Sequence, residues 1–143
     1  MINTKTYHEY IEKLSQDLKK WINTKEYNDT KWAKEISFLP NFLYICLDIY
    51  DNKKTPLKIK NRAESIIKYA ESDFDHLSEA ILGNAGLVDD LFLAALFLNE
   101  IENDSIYNFD DNTIKNISHV LLVSKEMLSS NVYNKCLVTY KSF

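Results

Sequence analysis

Apolar residues recur at three- and four-residue spacing from the start of the chain. Tyr7, Tyr10, Ile11, Leu14, Leu18, Trp21 and Ile22 form one stripe, and Glu9, Glu12, Lys13, Asp17, Lys19 and Lys20 fill the other side. That period predicts an amphipathic first helix. The pattern breaks over 23–30, where Asp29 or Thr30 is suited to cap a second helical stretch carrying Trp32, Ile36 and Phe38. Pro40 fits the first turn of the next segment, in which apolar residues from Phe42 to Tyr50 cover nearly every face, the mark of a central helix. Asp51-Asn52-Lys53-Lys54 makes a turn. Thr55 then caps, and Pro56 takes the first position, of a helix running to about Ser72 with Leu57, Ala63, Ile66, Ile67 and Ala70 inward. A short helix over 75–82 is expected to end at Gly83, which is free to adopt the left-handed cap conformation. The most apolar helix follows over 87–102, then a polar connection over 103–111. Asp111 or Asn112 opens a further helix with Ile114, Ile117, Val120, Leu121, Ser124 and Leu128 on one side. The tail, 132–143, fits a last helix or a packed extension equally well. The expectation is all-α: one compact helical bundle of about five to seven helices, centred on 40–51, 56–72 and 87–102.

Composition sharpens this picture in three ways. The chain has 143 residues with only two glycines and two prolines, so turn formers are too scarce for anything but long helices. No repeat, low-complexity tract or linker divides it, so residues 1–143 read as a single domain. Net charge is −4, which gives no global field for nucleic acid or acidic membranes. Cys46 and Cys136 lie far apart, Cys46 within an apolar run; two buried thiols in a reducing compartment account for them better than a disulfide or metal site. The N-terminus lacks the apolar core of a signal peptide, and the longest apolar run, Leu91 to Leu98, falls well short of the ~20 residues of a membrane span. A cytoplasmic protein with no membrane span is expected. The abundance of Asn, Lys and Ile fits an AT-rich bacterial or phage gene.

Chemistry concentrates over 69–91, where carboxylates and the only glycines, Gly83 and Gly86, share a turn-rich corner between apolar helices. Asp75 and Glu79 stand four apart, hence on one helical face, and a turn at Gly83 and Gly86 could bring Asp89 and Asp90 back toward them. Such a corner suits structural capping, because acidic side chains favour helix N-termini. Capping is the first reading; the second is a hard cation such as Mg²⁺, Mn²⁺ or Ca²⁺, which takes oxygen ligands. Lys60, midway along the preceding helix, is the candidate ion-pair or phosphate partner. Lys53, Lys54, Lys58, Lys60 and Arg62 form a basic helix start near Tyr44, Tyr50 and Tyr69. It reads first as solvated surface, and as a phosphate or single-strand platform in the alternative. Of His8, His76 and His119, only His76 lies in the acidic corner, as a candidate ligand or general base. No Gly-rich phosphate loop, paired-Cys motif, His-Glu-x-x-His or Gly-x-Ser-x-Gly elbow is present. Tyrosines are numerous and could serve a protein partner.

Leu39-Pro40, Asp51, Pro56, Lys60, Tyr69, Ser72, Asp75, Glu79, Gly83, Gly86 and Asp89-Asp90-Leu91 follow one another in the order and spacing of a known motif set. Over residues 39–99 the chain resembles the YkvA-like family, small bacterial helical domains of unknown function. Asp73 and Ser78 stand where many relatives carry proline, which makes this turn more polar and more helical. The resemblance and the residues together point to a non-enzymatic interaction or regulatory protein. It would bind a macromolecular partner, a protein rather than nucleic acid, without a cofactor, with a bacterial or phage conflict system as one setting. The alternative is a metal-dependent enzyme acting on a phosphate ester, with Asp75, Glu79, Asp89 and Asp90 holding the ion and Lys60 neutralising phosphate charge. A nucleic-acid binder using Lys53, Lys54, Lys58 and Arg62 is the third reading.

Overall fold

A computed structural model describes residues 4–76, 87–102 and 107–143, with the backbone alone over 72–76. Six long helices and two single-turn ones make up the described residues, and no strand occurs among them. They are α1 (Thr4–Trp21), α2 (Lys25–Asp29), α3 (Ala33–Ile36), α4 (Leu39–Asp51), α5 (Leu57–His76), α6 (Val88–Ile101), α7 (Asp111–Met127) and α8 (Ser130–Ser142).

The helices form where the apolar pattern and their caps agree. In α1 the stripe of Tyr7, Ile11, Leu14, Leu18 and Trp21 is buried, while Ile22, just past its end, is exposed. Pro40 sits in the first turn of α4, where its missing N–H costs nothing. Asp110 caps α7 by accepting the Thr113 N–H at 2.7 Å, one residue ahead of the expected start. Ser129 caps α8 by accepting from Val132 N at 3.3 Å, so the ambiguous tail is a helix. The break after α1 contains α2, capped by Thr24 rather than left irregular. Thr30 does not cap the stretch that follows; its hydroxyl donates to the Glu26 carbonyl at 2.6 Å and closes α2 instead. Thr55 also departs from its expected role, because its hydroxyl donates to the Ile49 carbonyl at 2.7 Å, at the end of α4.

Core packing centres on α4 and α6. The first packs against α1, α5 and α6, and the second against α4, α5, α7 and α8. Burial on nearly every side of α6, from Val88 to Ile101, explains why its sequence is apolar all round. Phe42, Phe92, Phe97, Leu43, Ile67 and Leu91 are among the largest fully enclosed side chains. Cys46 and Cys136 are both buried thiols, and burial pushes the Cys46 thiol far up from its ordinary range, leaving it inert. Among the described residues no helix is long and apolar enough to cross a membrane.

Candidate functional site

The acidic corner is divided by the structure. Glu79, Gly83 and Gly86 lie outside the described residues, as do the side chains of Asp75 and His76. The backbone of α5 runs unbroken to His76, so Asp75 continues a long helix and does not stand in the first turn of a separate one. Nothing between Ala70 and His76 is proline or glycine, so nothing there stops the helix. Asp89 and Asp90 do stand in the first turn of α6, where the helix dipole favours negative charge, but the capping position is Leu87 and no side chain caps it. Asp90 is only 1% exposed. Asp89 accepts a hydrogen bond from the Tyr69 hydroxyl at 3.2 Å, tying α5 to α6, and the Tyr69 ring packs edge-on against Phe143 at 6.2 Å.

The register of α5 on α6 corrects the expectation for Lys60. Tyr69 meets Asp89 at one end and Arg62 meets Glu100 at the other, so the two helices run antiparallel. Lys60 therefore lies nine residues from Tyr69, about 13–14 Å along the axis, beyond reach of Asp89 or Asp90. Its ammonium sits instead 6.0 Å from the centre of the Tyr50 ring on α4.

The basic helix start is also broken up. Lys53, Lys54 and Lys58 are exposed. Arg62 is withdrawn from it, its Nη1 bonding both Glu100 oxygens at 2.7 and 2.8 Å while the guanidinium stacks 5.1 Å from the Tyr140 ring. Tyr140 completes the knot by donating its hydroxyl to Glu100, and burial, then that carboxylate, holds the phenol well above its ordinary range. Among the described residues no group of three or more His, Cys, Asp and Glu is placed to hold a metal ion.

Several pairings have no counterpart in the sequence pattern. Glu35 of α3, 8% exposed, meets His119 Nε2 of α7 at 2.7 Å. Tyr44 donates to Glu12 at 2.5 Å; burial and that neighbour push its phenol up to about 12, while the bond lowers the Glu12 carboxyl.

An open cleft of about 300 Å³ lies between the solvent side of α4 and the segment 107–110 that leads into α7. Asn41, Ile45, Asp48 and Asn52 contribute one wall; spaced by four, three and four residues, they form a single stripe along α4. Asn108, Phe109, Asp110 and Thr113 contribute the other. Tyr107 fixes that second wall, since its buried hydroxyl donates to Thr55 Oγ1 at 3.2 Å and Thr55 in turn bonds the Ile49 carbonyl. The two aspartates differ electrically. Capping α7 holds the Asp110 carboxyl below the usual carboxylate range. Desolvation, then repulsion from Asp51, pushes the Asp48 carboxyl up, with His8 opposing. The Asp48 side chain makes no hydrogen bond or ion pair among the described residues, whereas neighbouring Asp51 accepts from the Thr4 hydroxyl at 2.9 Å. The cleft is thus rich in oxygen acceptors, carries net negative charge and has an aromatic edge. Its detectable trace in the sequence is the polar stripe Asn41, Asp48, Asn52 on a helix that is otherwise apolar up to Asp51. The chain matches no family model, no curated protein and no solved structure.

Proposed function

We propose that the chain is a YkvA-like, cytoplasmic interaction or regulatory protein that acts by binding a macromolecular partner. The observation that carries this reading is the cleft between α4 and 107–110. It is open along exposed Asn41, Asp48, Asn108 and Asp110, yet its second wall is pinned to the core through Tyr107 and Thr55. A shallow, acceptor-lined and pre-positioned depression suits a side chain presented by a larger molecule. A small free ligand would need most of its surface enclosed. Three of the charged groups on which the enzyme and nucleic-acid readings drew have contacts within the fold, Asp89 with Tyr69, Arg62 with Glu100 and Lys60 with Tyr50, while Lys53, Lys54 and Lys58 stay exposed.

A photo-crosslinking amino acid placed at Asn41 or Asn108 tests the reading in the native cell, with exposed Asn28 of α2 as the reference position. A discrete protein adduct from the cleft positions and none from position 28 is expected. Adducts to RNA would favour the nucleic-acid reading. No adduct at either cleft position, with phosphate-ester turnover by the Mg²⁺- or Mn²⁺-loaded chain, would replace the proposal with the enzyme.

A further inference from the structure

We infer that the cleft receives an arginine side chain from a basic segment of the partner protein, with Asp48 as the principal acceptor and Phe109 as the stacking surface. This rests on the interaction reading above and names the chemistry that the partner must present.

Charge sets the sign of the occupant. Asp48 and Asp110 line the cleft, no Lys or Arg does, and the chain carries a net charge of −4, so an anion is repelled and a cation is steered in. Asp48 is the less comfortable of the two, partly desolvated, repelled by Asp51 and without a hydrogen bond or ion pair among the described residues. A cation placed beside it would relieve both penalties. Asp110 Oδ1 already accepts from the Thr113 N–H, and the carboxylate keeps further acceptor sites for a second donor.

Shape and donor geometry choose among cations. The amides of Asn41, Asn52 and Asn108 add neutral acceptors around the two carboxylates, so the cleft offers several hydrogen-bond sites in different directions. A guanidinium has five N–H donors in a planar fork and is weakly hydrated, whereas an ammonium is a strongly hydrated point charge. Half-buried Phe109 lines the cleft, and a phenyl face is a surface on which a guanidinium stacks. About 300 Å³ is at the small end for a binding site, enough for one long side chain and too little for a helix. The exposed walls would leave a small polyamine largely in water, whereas a side chain tethered to a segment gains contacts on either side.

The test is an NMR titration of the full chain with acetyl-Gly-Arg-Gly-amide, its lysine and citrulline counterparts, and spermidine. Saturable shifts confined to residues 41–52 and 107–113 are expected with the arginine peptide. The lysine peptide should bind at least roughly tenfold more weakly, the loss of one or two hydrogen bonds to a charged acceptor. Citrulline, which keeps the shape without the charge, should give no saturable shifts. Asp48→Asn should abolish the arginine response while leaving the circular dichroism unchanged, because Asp48 is exposed and bonded to nothing in the fold. Equal binding of citrulline, equal or tighter binding of spermidine, or arginine shifts that survive Asp48→Asn would each overturn the inference. A protein adduct from Asn108 with no arginine binding would sink this inference alone, whereas the absence of any adduct would sink the interaction reading beneath it.

Discussion

Replacing Thr55 by valine should destabilise the fold more than replacing Tyr107 by phenylalanine, although both remove one hydroxyl of the same chain of bonds. The Tyr107 hydroxyl donates to Thr55 Oγ1 at 3.2 Å, and Thr55 donates to the Ile49 carbonyl at 2.7 Å, with both side chains buried. Tyr107→Phe removes the first bond and leaves one lone pair of Thr55 unmet, a loss of about 0.5–1.5 kcal/mol. Thr55→Val conserves shape but removes both bonds. It strands the buried Tyr107 hydroxyl and deprives a carbonyl at the end of α4 of its better partner, for about 1–3 kcal/mol. The Ile49 carbonyl keeps only the longer bond from Asn52 N at 3.3 Å. For a chain of this size each kcal/mol shifts the midpoint by about 3–4 °C, so Tyr107→Phe should lower Tm by about 2–6 °C and Thr55→Val by about 3–12 °C. The double variant should cost no more than Thr55→Val alone, because Tyr107→Phe then removes a hydroxyl that is already stranded. Urea unfolding followed by circular dichroism measures all four proteins. Equal losses in the two single variants, or additive losses in the double, would refute the account of how the second wall of the cleft is anchored.

Asp48→Asn should leave Tm unchanged or raise it at neutral pH. The folded-state carboxyl titrates above its unfolded value, so its ionisation disfavours the fold as pH rises through that window; the difference from wild type should vanish in acid, where both side chains are neutral. Phe92→Ala, removing a 1%-exposed ring that lies 5.1 Å from Tyr133, should cost about 3–5 kcal/mol by thermal or urea unfolding. His119→Ala should cost about 1 kcal/mol by leaving the nearly buried Glu35 without its partner, and adding Glu35→Gln should recover part of that loss. Asp89→Asn should lower Tm by the same amount with Mg²⁺ or with chelator, as befits a carboxylate bonded to Tyr69; an ion-specific stabilisation lost in this variant would point to metal binding.

Local periodicity made the helices legible, and long-range register hid the partners. The stripe from Tyr7 to Trp21 and the all-round apolar character of 88–101 specify which faces are buried, because a 3.6-residue repeat reports burial directly. Caps are legible to within a residue at Asp110, but the Thr30 and Thr55 hydroxyls donate to carbonyls and do not cap the helices that follow them. A threonine hydroxyl can donate to a carbonyl as readily as it accepts from an N–H, and sequence does not reveal which. Arg62 finds Glu100, Tyr107 finds Thr55 and Glu35 finds His119 across separations of 38, 52 and 84 residues. Each depends on which helices adjoin and in which direction they run. Lys60 illustrates the point: its place opposite an acidic corner followed from its order in the chain, and the antiparallel register of α5 on α6 carries it to the other end.

The polar stripe on α4 admits a stronger argument than its exposure alone. This helix is enclosed by α1, α5 and α6, and its remaining side could have been made favourable with long amphipathic side chains that cover apolar surface while keeping their charge in water. Instead it carries Asn41, Asp48 and Asn52, short acceptors that cover little, and Asp51 repels the Asp48 carboxylate more than His8 offsets. Locally unfavourable charge on a rigid core helix, facing a wall pinned by two buried hydroxyls, is a cost that folding alone does not require. The same features that disfavour Asp48 in the unbound protein, partial desolvation and a repulsion from Asp51 that His8 offsets only in part, are those that strengthen its attraction for an incoming cation. Substitution of Asp48 should therefore separate the two properties, improving the stability of the isolated chain while weakening its recognition of a basic partner.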